Sequence, residues 1–351
     1  MENYLTLFLG LLIFSFVITS ILVVPFINLL YKLKLQRRKE APKKGKVPLF
    51  DKLHDIKAGT PIGGGILIIL VVFILFAFVF PFSSRMGVYI RSAYNLKSEL
   101  FVILFTFLSF GVLGFLDDVV KIFGEGRRGV RPLGIAYGLT RFQKFVLQWI
   151  LAGIVSFFLY FKMGISIIHI PFVSMTLNLG FWYVPFAAFL IVLFSNAYNI
   201  TDGLDGLAAG LLVISLGVFA VIASGNLDAP LSVFIALWIG SLIAFLYFNV
   251  WPARIFLGDS GALSFGATLA VIGLLTGSVF ALFLVGAIYL LETISSAIQI
   301  FGWKFLKRPI FLIAPAHHIF LAKGWEEPKI VTRAWLAGLI LAVFALWLST
   351  I

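Results

Sequence analysis

Long apolar runs separated by short charged stretches recur from one end of the chain to the other. Each is about 20 residues long, enough to cross a bilayer as an α-helix. Ten runs can be drawn, at roughly 4–30, 62–82, 99–120, 142–162, 182–199, 206–224, 230–249, 262–279, 280–302 and 332–350. They do not alternate apolar and polar residues, as the strands of a transmembrane barrel would. The first run has no basic segment before it and is too long for a cleavable leader, so it reads as a permanent anchor. The eighth and ninth abut at Gly277-Ser278, where a tight turn is needed. Residues 165–179, ISIIHIPFVSMTLNL, break the pattern: they are β-branched, with Pro171 and Ser174 near the middle, and predict a short external hairpin. The expected fold is an all-α polytopic membrane protein of about ten helices, forming one integral membrane domain over residues 1–351.

Composition agrees with this pattern. Of 351 residues, 61% are hydrophobic and 12% charged, and the mean hydropathy is +1.09. A soluble enzyme, a disordered chain and a fibrous protein are excluded. The net charge of +12 would suggest a nucleic-acid partner in a soluble domain, but in a membrane protein it first reports orientation. With ten spans, 23 of the 27 basic residues fall in the loops after the odd-numbered spans, from Lys32–Lys57 through Lys121–Lys144 and Arg254 to Lys304–Arg333. The remainder are Arg85, Arg91, Lys97 and Lys162. The bias puts the first group in the cytoplasm and both termini outside, and argues against nucleic acid. The segment 36–52 reads as a basic cytoplasmic loop, with His54 just beyond it. There is no cysteine, so chemistry must come from carboxylates, histidines, lysines and amides.

The scarce acidic residues are placed informatively. Asp117 and Asp118 end the third span in GFLDDVVK, Asp202 and Asp205 lie in NAYNITDGLDGLAAG, and Asp259 lies in IFLGDSGA. All five fall at one boundary of the membrane, where carboxylates are costly unless solvated, paired or metal-bound. Singly, each has a structural reading: Asp202 or Asp205 as a helix cap, Asp259 as a turn residue. Asp117 and Asp118, at a helix C-terminus, oppose the helix dipole. Together they point to a shared site. Hard oxygen ligands suit Mg²⁺ with phosphate oxygens. Gly203, Gly206, Gly258 and Gly261, with the glycine run after Lys57 in KAGTPIGGG, would let backbone N–H groups approach a phosphate. His317 and His318, in PAHHIF, read as neighbours on an extended loop with rings pointing apart; histidines there can donate to phosphate. Glu292, inside the ninth span, is functional or paired with a neighbouring helix. Asn196, Asn199 and Asn249 sit at helix ends on the same side. Asn249 either ends the seventh helix or binds a polar ligand. His169, on the hairpin, is away from the site.

FLDDV, NAYNITDGLDGLA, FNVWPARIFLGDSGA and APAHHIF, in this order, resemble the polyprenyl-phosphate N-acetylhexosamine-1-phosphate transferases. KAGTP-x-x-GG and FLIAPAHHIFLAKGWEEPKIVTRAW resemble the phospho-N-acetylmuramoyl-pentapeptide branch of that family. The likeness runs from about residue 57 to 335. It implies transfer of phospho-N-acetylmuramoyl-pentapeptide from UDP-N-acetylmuramoyl-pentapeptide to undecaprenyl phosphate, giving lipid I and UMP for peptidoglycan. It also implies a Mg²⁺ requirement, the bacterial inner membrane with the site on its cytoplasmic face, and a homodimer. By the resemblance Asp259 is the metal ligand, and Asp117 and Asp118 lie where the lipid phosphate enters, one of them as base or nucleophile. Lys57, Asn199, Asp202 and Asn249 line the nucleotide-diphosphate site. Gly203, Leu204, Asp205 and Phe256 form the uridine pocket, with Phe256 stacking on the base. His317 and His318 match the first two of three family histidines, and the third position holds Ile319. Gly64 stands where the family has Met. Two other readings compete: a transferase using UDP-N-acetylglucosamine, and a cation-coupled transporter. A transporter would place its carboxylates near the midplane, within repeats that this sequence lacks.

Overall fold

The computed structural model describes residues 2–37, 57–85, 92–123, 140–173, 175–226 and 228–351. Most of the basic 36–52 segment, His54, and Arg127, Arg128 and Arg131 of the second basic loop lie outside the described residues. The helices are α1 (Glu2–Lys32), α2 (Gly64–Arg85), α3 (Leu96–Phe123), α4 (Arg141–Phe161), α5 (Tyr183–Thr201), α6 (Leu207–Gly225), α7 (Ala229–Asn249), α8 (Gly258–Leu275), α9 (Val279–Val285), α10 (Ala287–Phe301), α11 (Ala316–Ala322) and α12 (Glu327–Ser349). Among the described residues nine helices are long and apolar enough to cross a membrane. A tenth span is formed by α9 and the helix continuing from α10, bent by 70°.

The expected hairpin is present. Strands β1 (Ile167–Ile170) and β2 (Met175–Asn178) pair antiparallel, with Ile170 opposite Met175. A cavity beside it is lined by His169, Gly277 and Ser349, so the hairpin shares an end of the bundle with the α8–α9 turn and the C-terminus of α12.

Three boundaries differ from the sequence pattern. The eighth helix occupies 258–275, four residues earlier than expected, because GDSG is its first turn rather than a loop. The turn then falls at 276–278, with Gly277 at a φ of +68°. The ninth span is broken at Gly286, where a Cβ would lie 2.3 Å from the Phe194 ring of α5. The last helix starts at Glu327, with Pro328 in its first turn where a missing N–H costs nothing.

Helix α8 is the axis of the bundle, and its small residues explain why. Without a hydrophobic drive between helices in lipid, close backbone approach supplies the packing. A Cβ on Gly65 of α2 would sit 2.3 Å from Gly261, one on Gly114 of α3 would sit 2.1 Å from the Asp259 carbonyl, and one on Gly266 would sit 2.2 Å from the Phe194 carbonyl. Deeper in, Phe107, Phe234, Trp238 and Phe265 pack ring on ring, with neighbouring centroids 5.2–5.8 Å apart. Large apolar side chains on α1, α4 and α12 remain exposed, as a lipid-facing surface requires.

Candidate active site

At the end of the bundle opposite the hairpin, the C-terminal turns of α3, α5 and α7 meet the N-terminal turns of α4, α8 and α12. Two polar clusters form there.

The first is built on α3 and α8. Asp117 and Asp118 fall in the last two turns of α3, and the close crossing at Gly114 brings them against the start of α8. Asp118 turns both oxygens onto the N-terminus of α8, accepting from the backbone N–H groups of Asp259 and Ser260 at 3.1 Å each. It therefore caps a helix 141 residues away in sequence, and the favourable dipole of that N-terminus replaces the unfavourable one of its own helix. Asp117 points to Lys121, one turn on, and to Lys144, both at 2.9 Å. The same two ammonium groups reach Asp259, Lys121 at 2.7 Å and Lys144 at 2.6 Å. Asn199 of α5 donates to the other Asp259 oxygen at 3.0 Å. Lys144 is fixed by the start of α4, where Thr140 and Gln143 form a reciprocal capping box. Asp117 Oδ1 is buried and has no donor among the described residues.

The second cluster holds the loop between α7 and α8. Lys57 donates to Asp205 at 2.6 Å and to Glu327 at 2.5 Å, and its ammonium lies 5.7 Å from the Trp251 ring. Glu327 also accepts the Asp205 backbone N–H at 2.6 Å. The second Asp205 oxygen accepts from the Ala253 N–H at 2.9 Å. Asn249 accepts from the Gly206 N–H at 3.2 Å and donates to the Ile255 carbonyl at 2.9 Å. Breaking a buried, hydrogen-bonded ion pair by removing one partner costs about 3–5 kcal/mol. Glu327→Ala is accordingly expected to lower the thermal denaturation midpoint of the purified protein clearly. An unchanged midpoint would show that this cluster does not hold the end of the bundle together.

The structure brings together most of the sequence candidates and redistributes their work. Asp202 lies in the turn after α5 between the two clusters, and burial, with Asp259 nearby, pushes its carboxyl up to about 7. Neither Asp202 nor Asp205 caps α6; Gly206, at a φ of +79°, holds that position. Asp205 and Asn249 have both polar ends committed to protein, and Leu204 is buried in the apolar core. Phe256 is half-buried, with the Arg37 guanidinium 5.8 Å from its ring centre. Of the glycine N–H groups expected to approach a phosphate, five are already bonded within the protein. Those of Gly63 and Gly64 bond to the Phe256 carbonyl, that of Gly65 to Leu257, that of Gly203 to Thr201, and that of Gly206 to Asn249. At Gly65 and Gly261 the lack of a side chain serves helix packing instead.

His317 and His318 are not on an extended loop. They open the short helix α11, both buried, with ring centroids 4.2 Å apart. Glu292 is the partner of His317, accepting from its backbone N–H and meeting its ring Nδ1 at 3.1 Å each. Lys121, Lys144 and Glu327 were legible in the sequence only as loop charges. The i, i+4 spacing of Asp117 and Lys121 was the one local signal among them.

Among the described residues no three His, Asp or Glu side chains converge into a ready-made metal cage. Mg²⁺ seldom needs one, because it takes one or two carboxylates and completes its shell with phosphate oxygens and water. Asp117 and Asp259 already share two cationic groups, and Asp117 keeps a buried acceptor oxygen to spare. That donor set fits such an ion.

The chain matches the model of Glycosyl transferase family 4 over residues 100–277. It is 35% identical to the phospho-N-acetylmuramoyl-pentapeptide-transferase of Geobacillus sp. (strain WCH70), over 96% of both chains. It is 37% identical to the protein of the same name from Clostridium perfringens (strain SM101 / Type A), over 92% of this chain and 90% of that one. It is also 37% identical to that of Caldanaerobacter subterraneus subsp. tengcongensis, over 82% of this chain and 84% of that one.

Proposed function

The chain belongs to glycosyl transferase family 4, with the phospho-N-acetylmuramoyl-pentapeptide-transferases, and on that premise we propose that it transfers phospho-N-acetylmuramoyl-pentapeptide from its UDP ester to undecaprenyl phosphate. The products are lipid I, for peptidoglycan synthesis, and UMP. One observation carries the reading: Asp117 and Asp259, from two helices, are bridged by Lys121 and Lys144 at the end of an apolar bundle. A water-soluble nucleotide sugar and a membrane-bound lipid phosphate can meet only at such a boundary. Lys57, Lys121, Lys144 and Arg254 all belong to the side richer in basic residues, which supports a cytoplasmic face.

In the reaction an oxygen of the lipid phosphate attacks the sugar-bearing phosphorus of the nucleotide. A P–O bond forms there, the pyrophosphate bond breaks, and its electron pair leaves with UMP. Lys121 and Lys144 lie where they can exchange carboxylate partners for phosphate oxygens, offsetting charge that two phosphorylated substrates bring together. Asp117, whose Oδ1 is uncommitted, is assigned to the lipid phosphate, as acceptor of its remaining proton. Asp118 orients the first turn of α8 and through it Asp259. Asp259, with Asp117 beside it, would hold Mg²⁺, which when bound supplies Lewis-acid neutralisation of the diphosphate and of departing UMP. Lys57, Asn199, Asp202, Asn249 and the 203–205 turn border the nucleotide.

The test is UMP release by purified protein supplied with undecaprenyl phosphate, Mg²⁺ and one nucleotide sugar at a time. Release with UDP-N-acetylmuramoyl-pentapeptide and not with UDP-N-acetylglucosamine is expected. Release with UDP-N-acetylglucosamine alone would move the protein to the other branch of the family, and solute transport without UMP release would remove both enzymatic readings.

A further inference from the structure

Glu292 takes no part in the steps above, yet it is a buried carboxylate on α10, the helix that follows the break at Gly286. It is 4% exposed, and His317, which it meets, is 2% exposed. A carboxylate so buried must be satisfied. Its Oε2 makes two hydrogen bonds to one residue, accepting the backbone N–H and meeting the ring Nδ1 of His317. The same oxygen takes the backbone N–H of His317, so it faces this residue as an acceptor, and Nδ1 as the second donor would fix the ring in one orientation. The other nitrogen, Nε2, is buried without a hydrogen-bond partner among the described residues. It faces the turn between α5 and α6 so closely that a Cβ on Gly203 would lie 2.5 Å from it. Gly203 thus leaves room for Nε2, next to Asp202 and two residues before Asp205, in the turn already assigned to the nucleotide.

We propose that Glu292 is a positioning residue for the nucleotide-sugar substrate: it holds the Nδ1 proton of His317 and thereby presents Nε2 to a polar group of that substrate at the 202–205 turn. Glu292 acts through His317 and touches no substrate itself. This rests on the reaction proposed above for what fills the site, but not for the state of the ring. For histidines that bind a metal, the outer partners that orient the ring contribute about 10–100-fold to affinity or activity, and the same scale is taken here.

Two measurements test it. In protein labelled with ¹⁵N-histidine and reconstituted in bilayers, the His317 signals are those lost in His317→Ala. A protonated Nδ1 is expected, and a bare Nδ1 overturns the proposal. In steady-state UMP release, Glu292→Met, which removes the acceptor, is expected to raise the KM for the nucleotide sugar at least about tenfold while leaving that for undecaprenyl phosphate unchanged. Glu292→Gln, which keeps an acceptor oxygen of the same shape, is expected to restore it. The double variant Glu292→Met/His317→Ala should be no worse than His317→Ala alone, because residues acting as a unit are not additive. Multiplying losses, or equal changes in both KM values, would show a merely structural carboxylate. If Glu292→Met does not fold, Glu292→Gln and the spectrum still decide, since a bare Nδ1 or a tenfold loss in Gln overturns the assignment. Absence of UMP release from the wild type would refute the proposed reaction, and the spectrum would still judge the Glu292–His317 pair.

Discussion

Asp259→Ala is expected to lower the rate of UMP release by about a thousandfold, the scale seen when a charge-stabilising group aimed at a reacting oxyanion is lost. The side chain is the meeting point of Lys121, Lys144 and Asn199, at 2.7, 2.6 and 3.0 Å. Removing it leaves two ammonium groups with Asp117 alone, and takes away the carboxylate assigned to the ion. Folding should survive, because Asp118 caps α8 through backbone N–H groups that alanine keeps. The check is UMP release at saturating Mg²⁺, alongside thermal denaturation of the same sample. Wild-type turnover in the variant would show that the ion assignment is wrong.

Gly114→Val is expected to have the next largest effect, for a different reason. A Cβ at this position would lie 2.1 Å from the Asp259 carbonyl and 2.6 Å from the Ser260 Cα, both backbone-bound atoms that cannot swing aside. Helices α3 and α8 must therefore separate by roughly an ångström, and Asp117 and Asp118 withdraw from Asp259 with them. A displacement of that size typically costs about a hundredfold in rate. Lost packing should also lower the denaturation midpoint. Gly114→Ala, with a smaller side chain, should lie between wild type and Val. Full activity in Gly114→Val would show that the α3–α8 spacing does not set the geometry of the carboxylates.

Much of this architecture is legible in the sequence. The apolar runs marked the spans because lipid imposes a length and forbids unsatisfied backbone. The β-branched tract around Pro171 marked the hairpin for local reasons too. Errors came where a helix begins or bends through contact with another helix. The start of α8 was hidden in GDSG because its cap, Asp118, lies on α3. The break in the ninth span was hidden because it falls where Gly286 packs against the Phe194 ring of α5, a contact with another helix. The start of α12 was hidden because Glu327 reads as a loop charge until Lys57 and the Asp205 N–H meet it.

The candidate site divides along the same line. The sequence by itself determined which residues gather at one membrane boundary, since span parity carries Asp117, Asp202, Asp205 and Asp259 to the same end. It also carried the motifs that identify the family. Only the tertiary structure decided what each residue does there. It turned Asp118 into a cap, committed Asp205 and Asn249 to holding a loop, drew Lys121 and Lys144 between two aspartates, and gave His317 its partner Glu292. The physical reason is range. Burial of apolar runs and turn preferences are properties of neighbouring residues, whereas a carboxylate's role is set by which donor lies within about 3 Å of it, and here those donors come from other helices.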